Sequence, residues 1–88
     1  MNYAKKSLGQ NFLIDKNIVK KIIDLTEIKN RNIIEIGPGK GALTQEILNR
    51  KPKSLVVVEK DKNLANDLKK KYSSNRSIII YNEDILKF

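Results

Sequence analysis

The sequence predicts an α/β fold in which three parallel strands alternate with helices, forming half of a doubly wound sheet. Three short, β-branched apolar segments, at residues 32–36, 54–59 and 77–81, are typical of strands. Segments with apolar residues at helical spacing precede the first strand and separate the others. Strands that alternate with helices pair in parallel through right-handed crossovers, so the expected order is α-β-α-β-α-β.

Each of the three helices carries a start or stop signal. Asp15 is expected to cap the first helix, Pro52 to end a second helix over residues 41–50, and Asp61 to cap the third. The residues after the third strand, 82–88, should leave its carboxyl end. The predicted apolar positions of the helices are Ile18, Val19, Ile22, Ile23 and Leu25 in the first, Ala42, Leu43, Ile47 and Leu48 in the second, and Leu64, Ala65, Leu68 and Tyr72 in the third.

Composition limits the class of protein. The 88 residues suffice for one small domain, and 40% hydrophobic with 32% charged residues is ordinary for a globular chain. No apolar run approaches the ~20 residues of a membrane span, and no signal peptide is recognisable, so a cytoplasmic protein without membrane attachment is expected. Cysteine and histidine are both absent, which argues against a disulfide framework and a zinc site. No metal is expected.

The net charge of +8 is compatible with binding to a polyanion. It is equally compatible with a lysine-rich surface that has no nucleic-acid partner, because the lysines are scattered over the predicted helix surfaces. Charge alone therefore leaves the partner open.

Three polar features fall at one edge of the predicted sheet. The glycine-rich loop "GPGKG" follows the first strand, Glu59 ends the second, and Asp84 comes just after the third. In doubly wound folds, ligands bind beyond the carboxyl ends of the strands. Their convergence predicts a ligand site at this edge.

The loop itself permits several ligands. Gly37 and Gly39 can adopt backbone angles closed to other residues, and Gly41 precedes a helix whose free N–H groups suit an anion. The pattern G-x-G-x-x-G/A is satisfied with Ala42 in the last place, whereas the Walker pattern fails. A dinucleotide and another adenosyl cofactor both remain possible, as does a loop that serves packing only.

The carboxylates narrow the choice to a nucleoside. Glu59 lies 22 positions after Gly37, a spacing typical of a carboxylate that accepts both hydroxyls of an adenosine ribose. Asp84 could accept a hydrogen bond from an adenine amine. Glu59 could instead be a solvated side chain paired with Lys60 or Lys62, and Asp84 a helix cap. Glu35, just before the loop, could brace the loop amides or point to solvent.

Four segments together resemble the ribosomal RNA adenine dimethyltransferases, the family of the kasugamycin-sensitivity and erythromycin-resistance methylases. They are "SLGQNFL", "IIEIGPGKGALT", "VVVEKD" and "NEDIL", in the family's order and spacing. The resemblance covers essentially the whole chain. It implies a class I Rossmann-like methyltransferase fold, S-adenosylmethionine as cofactor, and adenine amines of small-subunit ribosomal RNA as acceptors.

The resemblance also assigns cofactor contacts. Asn11 and Leu13 match the N-terminal contacts of the family, Gly37 matches the loop glycine beneath the methionine portion, Glu59 the ribose ligand and Asp84 the adenine-amine acceptor. The catalytic Asn-Leu/Ile-Pro-Tyr/Phe motif of the family does not occur before Phe88, so no catalytic residue is assigned. Residues 1–88 are thus expected to be the N-terminal part of the cofactor-binding domain, inactive by themselves.

Three further expectations remain open. The edge of the first strand would be exposed and apolar, which predicts self-association. A nicotinamide-dependent oxidoreductase fragment is the alternative enzyme class, although "GQNFL" and "NEDIL" have no role in it. A non-catalytic, basic RNA-binding module that uses Lys5, Lys6 and the helix lysines is a third possibility.

Overall fold

A computed structural model of the protein describes residues 16–87, which alternate between helices and strands as the sequence predicts. Three helices and three strands are followed by a short 3₁₀ turn. Their bounds are α1 Lys16–Asp24, β1 Asn32–Ile36, α2 Ala42–Asn49, β2 Ser54–Val58, α3 Lys62–Lys71, β3 Ile78–Tyr81 and the 3₁₀ turn Ile85–Lys87.

The three strands form one parallel sheet in the order β1-β2-β3. Residue Asn32 of β1 pairs with Ser54 of β2, and Leu55 of β2 pairs with Ile78 of β3. All three strands therefore end at the same edge, which confirms the predicted fold class and brings the loops after them together.

A single hydrophobic core joins all three helices to one face of the sheet. Leu55 and Val57 of the central strand are completely buried there. Right-handed crossovers that step in one direction place their helices on the same face of a sheet, which explains why α2 and α3 share one face. The helices contribute Val19 and Ile23 from α1, Ile47 from α2 and Leu68 from α3.

The opposite face of the sheet stays open. Ile34 and Ile36 of β1 are 66% and 57% exposed, and Ile79 of β3 is 53% exposed. Among residues 16–87, β1 pairs only with β2, so its outer edge has no neighbouring strand. Parallel sheets are normally covered on both faces, so this apolar surface is unusual.

The observed ends of the helices differ from the predicted ones by only one or two residues. Leu25 lies beyond the end of α1 and is exposed, so it does not belong to the apolar stripe of that helix. The second helix begins at Ala42, with Gly41 as its N-cap in the left-handed region, and it ends at Asn49, before Pro52. The cap predicted at Asp15 lies outside the described residues.

Asp61 caps α3 as predicted. Its Oδ1 accepts a hydrogen bond of 3.0 Å from the backbone N–H of Leu64, one of the N–H groups at a helix start that have no partner within the helix. Its backbone N–H is bound in turn by the side chain of Glu59. The start of α3 is therefore fixed next to the end of β2.

Replacing Asp61 by alanine should lower the free energy of unfolding by about 1 kcal/mol, because the N–H of Leu64 loses its acceptor. Urea unfolding monitored by circular dichroism measures the change. Asp67→Ala is the matched control, since Asp67 is an exposed aspartate in the interior of the same helix. Equal effects of the two substitutions would contradict the capping role.

Candidate functional site

The loop after β1 uses glycine for two different reasons. Gly37, Gly39 and Gly41 all have positive φ angles, of +67°, +60° and +92°. At Gly37 the position of a Cβ atom faces open space, whereas at Gly41 it would lie 2.9 Å from Cδ2 of Leu68 on α3. Gly37 therefore leaves room beside the chain for a ligand, and Gly41 allows the loop to pack on α3.

Backbone and side-chain bonds hold this loop against the end of β2. The N–H of Gly37 donates to the carbonyl of Val58 at 2.9 Å, and the N–H of Gly39 donates to Oε1 of Glu59 at 3.3 Å. Within the loop, Gly41 N–H donates to the carbonyl of Pro38 at 3.0 Å. Hydrogen bonds thus fix the conformation of the loop, which lies at the carboxyl edge of the sheet.

Glu59 is a buried carboxylate that bridges two loops. Its Oε1 accepts from Gly39, and its Oε2 accepts from the backbone N–H of Asp61 at 2.7 Å. A carboxylate offers about four lone-pair sites, so each oxygen can still accept from a ligand hydroxyl. The partners of this side chain are backbone amides, and in residues 16–87 neither Lys60 nor Lys62 forms an ion pair with it.

Asp84 lies in the loop after β3; its side chain is half-buried, and one of its oxygens accepts a hydrogen bond within the chain. Its Oδ1 accepts a hydrogen bond from the backbone N–H of Leu86 at 2.9 Å. One of its two oxygens therefore acts as the helix cap that the sequence offered as an alternative role. Its Oδ2 makes no hydrogen bond to residues 16–87. The preceding residue, Glu83, donates its N–H to the carbonyl of Glu59 at 3.1 Å, which sets Asp84 beside the end of β2.

Asn82 holds the loop after β3 against the loop after β2, a role that the sequence did not predict. Its side-chain amide donates to the carbonyls of both Glu59 and Lys60, each at 3.0 Å. Asparagine in a turn commonly bonds to nearby backbone, but here the acceptors belong to the loop that follows another strand, β2. Only the three-dimensional pairing of β2 with β3 reveals that role.

Glu35 takes neither of the two positions considered from the sequence. It is 6% exposed and accepts a hydrogen bond of 2.6 Å from the hydroxyl of Thr44, a completely buried residue in the first turns of α2. Burial raises the pKa of Glu35 to about 7, against the lowering effect of the Thr44 bond and with a further contribution from the charge of Glu59. A buried carboxyl group next to the glycine loop therefore titrates near neutral pH.

The described residues contain neither a metal cluster nor a membrane span. No group of three or more acidic, histidine or cysteine side chains in residues 16–87 could hold a metal ion. No helix in that range is long and apolar enough to cross a bilayer.

Three of the five residues assigned to the cofactor meet at one edge of the sheet. Gly37, Glu59 and Asp84 lie on the loops that follow β1, β2 and β3, at the carboxyl ends of the strands. Asn11 and Leu13 lie outside the described residues. The carboxylate of Glu59 lies at the end of the central strand, and the carboxylate of Asp84 lies in the loop after the neighbouring strand.

A comparison with protein-family models identifies the family. The model described as "Ribosomal RNA adenine dimethylase" matches residues 1–88. The chain belongs to this family. The resemblance recognised in the motifs is therefore confirmed, and the fold agrees with it.

Individual members of the ribosomal RNA adenine dimethylase family support the assignment. The chain is 57% identical over 84 residues to "Ribosomal RNA small subunit methyltransferase A" of Pelagibacter ubique, which covers 96% of this chain and 31% of that protein. The protein of the same name from Mycoplasmopsis pulmonis is 54% identical, with 96% and 32% covered. The chain thus spans about a third of the length of these relatives.

Solved structures agree on the fold. The structure of the 23S rRNA methyltransferase ErmE superposes with a TM-score of 0.74 at 29% identity, covering 84% of this chain and 30% of that one. A dimethyladenosine transferase from Plasmodium falciparum gives a TM-score of 0.72 at 29% identity, covering 82% and 27%.

The raised pKa of Glu35 predicts a pH dependence of stability for this family member. A folded-state pKa of about 7, above the ordinary 4.5, means that the folded chain holds a proton that the unfolded chain releases. The contribution of Glu35 to the free energy of unfolding is fully present below about pH 4.5. It is lost as the pH rises through about 7, and the loss amounts to about 3 kcal/mol in all.

Glu35→Gln removes this titration, so the variant should become more stable than the native chain above about pH 7, while the difference narrows towards acid pH. Urea unfolding over a series of pH values measures it. Glu83→Gln serves as the control, because Glu83 is exposed. Parallel pH curves for the native chain and Glu35→Gln would contradict the prediction.

Proposed function

We propose that this chain is the cofactor-binding N-terminal part of an enzyme that uses S-adenosylmethionine to dimethylate adenine amines in small-subunit ribosomal RNA. The observation that carries the proposal is the buried carboxylate of Glu59, held by Gly39 and Asp61 with acceptor capacity to spare. The names of the relatives, which are small-subunit ribosomal RNA methyltransferases, support the substrate class.

The residues at the sheet edge fit an adenosyl cofactor in their chemistry. Glu59 would accept hydrogen bonds from the two ribose hydroxyls, and Asp84 would accept one from the adenine amine through Oδ2. Gly37, with open space where a side chain would be, would lie beneath the methionine portion. Asn11 and Leu13 would add contacts from the N-terminal segment. S-Adenosylmethionine itself supplies the methyl group.

Ligand binding discriminates this proposal from a nicotinamide cofactor. Isothermal titration of the 88-residue chain with S-adenosylhomocysteine should show binding, whereas NAD should show none. Glu59→Gln should weaken the affinity at least about tenfold, because the amide has one acceptor oxygen where the carboxylate has two, and a charge-assisted hydrogen bond contributes about 1.5–3 kcal/mol.

Glu83→Gln is the matched control, since it removes an exposed carboxylate two residues beyond β3 and should leave the affinity unchanged. Circular dichroism checks that each variant is folded. Binding of NAD without binding of S-adenosylhomocysteine would reverse the choice of cofactor.

The methyl-transfer step needs more than these residues. Methylation of an amine depends on orienting its lone pair at the methyl group, and none of the residues assigned here contacts the acceptor base. The 88-residue chain alone should therefore incorporate no labelled methyl from S-adenosylmethionine into undermethylated small ribosomal subunits. A relative of full length is the positive control, and detectable incorporation by the 88-residue chain would refute the expectation. Because the acceptor is ribosomal RNA, the site of action is proposed to be the cytoplasm.

We also propose that the chain self-associates through β1. Its outer edge has no neighbouring strand among residues 16–87, and Ile34 beside that edge is exposed. The net charge of +8 opposes association, so raising the salt concentration should promote it.

Sedimentation velocity at rising protein concentration should show dimers or larger species. Ile34→Lys should shift the population towards monomer, whereas Ile79→Lys should do so less, because Ile79 lies on the same face but on the strand at the other side of the sheet. A strictly monomeric native chain at high salt would contradict the proposal.

A further inference from the structure

The buried pair of Glu35 and Thr44 has no part in the proposed cofactor contacts. Both side chains are at least nine-tenths buried, and the hydroxyl of Thr44 donates to Oε1 of Glu35 at 2.6 Å. Burying a carboxyl group is costly unless it forms hydrogen bonds, and an apolar residue at this core-facing position of β1 would avoid the cost. The pair therefore calls for an explanation beyond packing.

The position of the pair supplies one. Glu35 precedes the glycine loop and Thr44 follows it, so their hydrogen bond joins the two ends of the loop, across residues 36–43. Gly37, Gly39 and Gly41 all adopt left-handed backbone angles. Glycine restricts the backbone less than any other residue, so the loop depends on hydrogen bonds to keep one conformation. A bond that joins its ends restricts the conformations that the loop can adopt.

We propose that Glu35 is a positioning residue for the glycine loop: acting through Thr44 and through Glu59, it sets the conformation of residues 37–41, and it does so differently in its protonated and ionised forms. The significance for cofactor binding rests on the proposed function. The coupling between Glu35 and the loop is a property of the folded chain and can be tested without a ligand.

The two forms of Glu35 differ in what they can bind. The protonated carboxyl accepts from Thr44 and can itself donate one hydrogen bond, whereas the carboxylate only accepts and binds the Thr44 hydroxyl more strongly. The titratable groups of the described chain that interact with it electrostatically are Glu59 at the end of β2 and Tyr72 after α3.

A second route to the loop runs through Glu59. Ionised Glu35 repels the carboxylate of Glu59, whose Oε1 accepts from the N–H of Gly39 across a comparatively long 3.3 Å. Ionisation should therefore weaken the Glu59–Gly39 bond while it strengthens the Thr44 bond. Because burial raises the pKa of Glu35 to about 7, the exchange between the two forms falls near neutral pH.

Nuclear magnetic resonance of the 88-residue chain tests this coupling. The backbone amide signals of Gly37, Gly39 and Gly41 should shift with one common midpoint between about pH 5.5 and about pH 8, and the side-chain carboxyl carbon of Glu35 should shift at that same midpoint. In Glu35→Gln, which keeps the volume and the acceptor for Thr44, the glycine signals should no longer titrate.

Two substitutions of Thr44 separate positioning from a general structural role. In Thr44→Val, which removes the hydroxyl at similar volume, Glu35 should still titrate and Gly39 should still respond through Glu59, but the amide of Gly41, at the start of the helix that carries Thr44, should no longer follow it. Thr44→Ser restores the hydroxyl and should restore the coupled shift. Loop signals that do not titrate in the native chain or that titrate unchanged in Glu35→Gln, or a Gly41 signal that titrates unchanged in Thr44→Val, would overturn the inference.

Titration with S-adenosylhomocysteine keeps this inference distinct from the proposed function. Thr44→Val should weaken binding about tenfold and Thr44→Ser should not, because a loop that is no longer restrained must be ordered when the ligand binds. Coupled loop signals in a chain that binds no S-adenosylhomocysteine would sustain the positioning role and refute the cofactor. Binding of S-adenosylhomocysteine without coupled loop signals would support the cofactor and refute the positioning role.

Discussion

The rest of the site depends on the hydrogen bonds that the carboxylate of Glu59 accepts from two backbone amides. One oxygen holds the glycine loop after β1 and the other holds the residue that caps α3, so a single buried side chain joins two loops at the end of the central strand. The carbonyl of the same residue accepts from Asn82 and Glu83, which brings in the third loop. A buried charge is tolerable here because backbone N–H groups compensate it.

This arrangement explains why the site can exist in so short a stretch of chain. The parallel register brings three loops to one edge, and side-chain bonds from Glu59 and Asn82 then fix the loops relative to one another. The helices of the two crossovers, α2 and α3, lie on one side because both crossovers step in the same direction. The open face and the free edge of β1 are thus consequences of the same topology that builds the site.

Local patterns predicted most of the fold, because they depend on neighbouring residues. The three strands, the helix capped by Asp61 and the edge where Gly37, Glu59 and Asp84 meet all follow from periodicity and turn chemistry. The roles of Glu35 and Asn82 could not be predicted, since each depends on a partner in another element. The sequence could not indicate either that Gly41 packs against Leu68, because that contact arises only when α3 lies on the sheet.

The one-directional topology also bears on how the chain acquires its fold. Asn32 pairs with Ser54, 22 positions later, and the next strand pair spans nearly the same distance along the chain. Loop closure becomes costlier as the closed segment lengthens, so strand pairs of short and similar separation form without waiting for distant partners. Each strand of residues 16–87 finds its neighbour immediately before or after it in the sequence. The sheet of residues 16–87 is therefore built from strand pairs of similar, moderate sequence separation, without a pairing between the first strand and the last.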